Sequence, residues 1–141
     1  RVGYLWSLDN QLVQDAISIK THTSMNTNIL GQDMAFEATK IPRTFIDDQL
    51  RIWQKRRDLL YTGLKDAGLD LWNPEGAFYM LPQVENASDF VWDMYTQYDV
   101  ITYLGDWFGA PGRVRFSYAL DMDKIKEGLN RINDYLRKRG V

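Results

Sequence analysis

The stretch GRVRFSYA, Gly112 to Ala119, alternates with the period of a β-strand. Arg113, Arg115 and Ser117 share one face, while Val114, Phe116 and Tyr118 share the other. The second face belongs on a core; the first sets two guanidinium groups side by side. Two readings fit. The strand has a solvated outer face, or it binds an anion, with Arg115 offering a carboxylate the planar fork that lysine lacks. Arg113 lies nearer the loop end and is expected to be solvated.

Immediately upstream, GDWFGAPG is rich in glycine and reads as a loop, of the kind that can cover a small ligand. Gly105, Gly109 and Gly112 do not form a dinucleotide fingerprint, because the spacing is wrong and a strand follows rather than a helix. Downstream, Met122, Ile125, Leu129, Ile132 and Leu136 recur at helical spacing and predict a terminal amphipathic helix. Before the loop come three predicted strands, LDLWN, AFYML and DVITYL, with a turn at Asn73 to Gly76. A helix, NASDFVWDMYTQY, lies between the last two and is expected to be capped near Asn86 or Ser88.

The longest predicted helix runs from about Thr44, its expected N-cap, to Ala67, with Gly68 as its stop. Phe45, Ile52, Leu59 and Leu60 mark its buried side; Lys55, Arg56, Arg57 and Asp58 mark its wet side. Ahead of it, RVGYLW reads as a strand, and a helix capped by Asp9 follows through QLVQDAISIK. THTSMNTN reads as a polar loop, able to donate hydrogen bonds to a phosphate or a neighbouring subunit but more simply a plain connection, and ILGQDMAFEATK as a short helix closed by Pro42. An opening strand with no sequence-local partner needs a sheet to join. Arg1 stands at its end, where an arginine can hold a phosphate or be an ordinary terminal charge.

Composition narrows the function. The 141 residues carry a net charge of −2, which argues against a nucleic-acid surface. No apolar run reaches membrane-spanning length. The absence of cysteine rules out thiolate chemistry in this chain and suggests a reducing, cytoplasmic setting. His22 is the single histidine, which excludes a histidine metal cluster or a Ser-His-Asp triad within the chain. Five Trp and eight Tyr follow core periodicity rather than the pattern of a base-stacking platform.

Taken in order, RVGYL, SMNTNILGQDMAFEA, RRDLLYTGL, NPEGAFYML, FG and RVRFSYA resemble the C-terminal third of class I/II aminotransferases. These are pyridoxal-phosphate (PLP) enzymes of the aspartate aminotransferase fold type. The resemblance covers essentially the whole chain. It implies an α/β, fold-type-I PLP-transferase fragment: residues 1–43 as the end of the large domain and 44–141 as an α+β small domain, its helices packed on a short sheet.

By the same resemblance, Arg1 matches the arginine that pairs with the cofactor phosphate, and Arg115 the one that grips the substrate α-carboxylate. Residues 26–32 would begin a helix leading toward a subunit interface, since the family is typically homodimeric. The expected reaction moves an amino group between an amino acid and a 2-oxo acid. The chain departs from the family in having Leu104-Gly105 where Pro-Gly is common. None of its lysines sits in the motif of the Schiff-base lysine, which the resemblance places upstream of Arg1. No catalytic residue is therefore expected in this chain, which alone should be inactive. A C–S lyase of the same fold, the aminotransferase-like effector domain of a transcription regulator, and a ligand-free structural module are the competing expectations.

Overall fold

The computed structural model describes residues 2–139. The chain divides into two compact units, Arg1–Ile46 and Asp47–Val141.

In the first unit, helices α1 (Asn10–Thr23) and α2 (Ile29–Ala38) are started by local capping. The Asp9 carboxylate accepts from the Gln11 and Leu12 amides at 2.9 and 3.2 Å, and Asn28 Oδ1 accepts from the Gly31 amide at 3.0 Å. Neither helix buries a residue. The expected strand RVGYLW does not form across its described part, residues 2–6, because a strand needs a pairing partner and none is present among the described residues. The expected loop beginning at Thr21 is also corrected, since α1 continues through Thr23. Its polar side chains do not break the helix because each turns back on it. Thr21 Oγ1, His22 Nδ1 and Thr23 Oγ1 donate to the carbonyls of Ile17, Ser18 and Ile19.

The second unit carries the sheet. Helix α3 (Arg43–Asp66), whose first four residues belong to the first unit, begins one residue before the expected cap Thr44, directly after Pro42, and stops before Gly68 at φ +85°. Strands β1 (Tyr79–Met80), β2 (Tyr103–Leu104) and β3 (Val114–Ser117) form an antiparallel sheet ordered β1-β3-β2. The predicted strand LDLWN contributes only one bridge, Asp70 with Gln83. Helix α4 (Ala87–Tyr98) follows Asn86, which is left-handed and makes no side-chain cap bond. Helix α5 (Met122–Arg139) closes the described chain.

Val114, Phe116 and Tyr118 are all buried, as the alternation of β3 requires. They meet Met80, Phe90 and Met94 in a core closed by Leu60 and Leu64 of α3 and by Ile125, Leu129, Ile132 and Leu136 of α5. Each fully buried side chain of this size is worth about 1.5–3 kcal/mol. Two helices approach closely at Gly63, where a Cβ would lie 2.4 Å from Leu129 Cδ1. Burial on α3 is confined to its C-terminal half: Phe45 and Ile52, expected inside, are exposed. The expected wet side is also corrected at Arg56 and Arg57, whose side chains retain only 20% and 24% exposure. Arg56 pairs with Asp121 at 2.9 Å and lies against the Trp53 ring, covering apolar surface with its stem.

Candidate functional site

The outer face of β3 is where the two arginines separate. Arg113, expected to be solvated, is instead tied down: its Nη1 donates to the Leu81 carbonyl at 2.7 Å, and its guanidinium lies 3.9 Å from the Trp72 ring centre. Arg113 sits where β3 begins beside Gln83, so backbone acceptors of the neighbouring segment are within reach.

Arg115 is held differently. Three rings surround its guanidinium, with Cζ 3.6 Å from the centre of Phe108, 4.5 Å from Tyr79 and 5.0 Å from Tyr103. The register explains this gathering. Tyr103 is the direct partner of Arg115 on β2, so both point to one face. Tyr79 pairs with Ser117 on β1 and therefore reaches Arg115 along the diagonal. Phe108 arrives at the end of a 3₁₀ turn, Gly105–Phe108. Among the described residues Arg115 has no ion pair and no hydrogen-bond acceptor, and it is only half-buried. A guanidinium set among rings rather than carboxylates keeps N–H donors available for a planar anion.

The glycine-rich stretch, expected as a flexible cover, is a seated turn. The Gly105 amide donates to the Arg113 carbonyl at 2.7 Å, and the Ala110 amide donates to the Gly105 carbonyl at 2.9 Å. A Cβ at position 105 would stand 2.2 Å from the Ala110 carbonyl oxygen, so only glycine fits. Leu104 enters the turn at φ −61°, a value that proline also adopts.

A cavity of about 460 Å³ lined by Leu60, Val100, Thr102, Phe116, Lys124 and Arg131, among others, does not include Arg115. Its rim cations are already occupied, Lys124 by Glu127 and Arg131 by Glu127 and the Tyr98 carbonyl. Among the described residues no cluster of His, Asp and Glu is placed to hold a metal ion, and no helix is long and apolar enough to cross a membrane. Arg1, expected at a phosphate, lies outside the described residues.

A family model described as aminotransferase class I and II matches residues 1–132. The chain belongs to the class I and II aminotransferases. It is 30% identical to the aspartate aminotransferase of Thermotoga maritima, over 99% of this chain and 36% of that relative. It is also 30% identical to the (5-formylfuran-3-yl)methyl phosphate transaminase of Methanocaldococcus jannaschii, over 98% of this chain and 38% of that relative. The crystal structure of the aromatic aminotransferase from Pyrococcus horikoshii superposes with a TM-score of 0.84 at 26% identity, covering 92% of this chain and 37% of that one. This aminotransferase chain thus spans well under half the length of these relatives, and its fold is the corresponding part of fold type I.

The family is PLP-dependent. Attachment of such a cofactor to a protein needs an unprotonated amine, together with donors for the phosphate. The described residues of this aminotransferase chain do not fit that role. Lys40, Lys65, Lys124, Lys126 and Lys138 each lie against a carboxylate, Lys20 donates to Thr27, and Lys55 is exposed. Hydrogen bonding to Asp134 and Tyr98 holds the Lys138 ammonium above the usual lysine range, the opposite of what attack on a carbonyl requires.

The sequence singles out Arg115 but not the rings that surround it, Tyr79, Tyr103 and Phe108. A signal existed in the apolar stretches GAFY and ITYLGDWF, but assigning those rings to the face of Arg115 requires the strand register, which pairs residues far apart in the chain.

Proposed function

We propose that this chain supplies the substrate grip of a PLP-dependent aminotransferase, which moves an amino group between an amino acid and a 2-oxo acid. The observation that carries this reading is the Arg115 guanidinium, stacked among rings and without a protein anion. In this role Arg115 receives the α-carboxylate in a bidentate pair and fixes the angle at which the substrate Cα presents its bonds. Orientation of this kind is a large part of what a binding residue contributes to rate. When bound in the whole enzyme, the cofactor would supply the electron sink. Its covalent anchor and the proton-transferring base come from residues other than those described, so the 141 residues alone are inactive. Arg1 is assigned to the cofactor phosphate by family resemblance, and the working enzyme is a homodimer on the same ground.

In the whole aminotransferase, Arg115→Ala is expected to raise the amino-acid KM by about two orders of magnitude or more, as removal of one charged hydrogen-bonding partner does. Arg115→Lys restores the charge without the fork and should recover only part of the loss. Steady-state kinetics on both variants decide it: an unchanged KM in both removes Arg115 from the substrate.

A further inference from the structure

The geometry points to Tyr79, Tyr103 and Phe108 as positioning residues that hold the Arg115 guanidinium in one plane without neutralising it; this rests on the carboxylate-anchor reading above. Arginines are commonly held by carboxylates, and such a partner would occupy the N–H edge and cancel the charge that a ligand must meet. Rings do neither. Phe108 carries no acceptor at all, and its ring centre lies 3.6 Å from the guanidinium carbon. Tyr103 and Tyr79 approach from the flanking strands β2 and β1, so the guanidinium is bordered by both neighbouring strands and by the turn.

The turn is fixed as firmly as the strands. Gly105 is seated on the Arg113 and Ala110 backbone, and Gly109 ends the turn at φ +73°. The position of Phe108 is therefore set by backbone contacts that do not depend on a ligand. Trp107 and Tyr103 also meet, with ring centres 6.3 Å apart, so the ring from β2 is buttressed from the turn. Because the α-carboxylate is common to every amino acid, a device that acts only on Arg115 affects all substrates alike. A ring that touched the substrate side chain would discriminate between them.

The test uses the cofactor-loaded whole aminotransferase with Phe108→Leu, Tyr103→Leu, Phe108→Tyr and Arg115→Lys. Phe108 and Tyr103 are 47% and 43% exposed, so their truncation opens no core cavity, and an unchanged melting temperature verifies the fold. Inhibition constants are measured for propanoate and 3-phenylpropanoate, which share a carboxylate and differ in the tail, alongside kcat and KM. Loss of either ring is expected to weaken both inhibitors equally, by about tenfold, and to lower kcat/KM by a comparable factor. Phe108→Tyr keeps a ring and should restore binding. If Arg115→Lys weakens both inhibitors while the leucine variants do not, the ring assignment fails and the anchor stands. A loss confined to 3-phenylpropanoate also overturns the assignment, because the rings would then be touching the tail. If Arg115→Lys changes nothing, the anchor reading itself falls, and the role of the rings falls with it.

Discussion

Phe36 and Phe90 are the same side chain in two helices, yet Phe36 is 64% exposed and Phe90 1%. The contrast extends to their whole units. Around Phe90, rings from β3 and α5 close in, with Tyr135 meeting it edge-on at 5.2 Å and Phe116 at 6.1 Å. In the unit of Phe36, helices α1 and α2 bury nothing, and Leu8 and Met34 are likewise exposed. The first unit takes its shape from caps and i−4 bonds, whereas the second takes its shape from contacts between distant segments. Local bonds suffice to draw a helix but not to hold one, since short helices without a packed face are marginal in water.

The largest effect that would break this contrast is a matched pair of truncations in the 141-residue chain. Phe90→Ala should cost about 3–5 kcal/mol in urea unfolding. Phe36→Ala should fall within about 0.5 kcal/mol of the parent, as exposed substitutions do. Equal losses would show that residues 1–46 have a core of their own. A smaller effect sharpens the comparison inside the second unit. Gly105→Ala forces a Cβ onto two carbonyl oxygens and should cost about 1–3 kcal/mol, as overpacking does, while weakening carboxylate binding because the turn carrying Phe108 shifts. Stability lost without a change in binding would separate the turn from the site.

The smallest effect is a pH dependence confined to the second unit. Burial pushes the Tyr118 and Tyr135 phenols above the ordinary tyrosine range, opposed in part by Arg57 and Arg139. The folded chain therefore keeps these protons to higher pH than the unfolded chain does. Their contribution is complete below about pH 10 and falls as pH rises through the raised folded values. Tyr135→Phe should flatten the alkaline decline of stability measured by urea titration, and an unchanged slope would remove Tyr135 from it.

Much of the fold was legible where the signal is local. Asp9 as a cap, Gly68 as a stop, the stripe on α5 and the two faces of β3 all follow from spacing and residue type. The errors arise where a distant partner decides. Residues 2–5 have the composition of a strand but pair with none among the described residues, while LDLWN keeps one bridge, Asp70 with Gln83. Phe45 and Ile52 share the apolar phase of α3, yet the core reaches only its C-terminal half. At the site, Arg115 was visible from alternation and from the order of motifs. Its rings were not, since pairing Tyr103 with Arg115 and Tyr79 with Ser117 is a matter of register. Arg113 was misplaced for the same reason: the Leu81 carbonyl that holds it is 32 residues away.

The close approach of Gly63 to Leu129 has a consequence for how this sequence can vary. With 2.4 Å between a would-be Cβ and Leu129 Cδ1, the two positions share one volume and cannot change independently. A methyl added at 63 is tolerated only if 129 gives up a comparable bulk, so two substitutions that are each harmful should partly cancel when combined. In any set of functional sequences with this fold, residue size at 63 and at 129 should be anticorrelated.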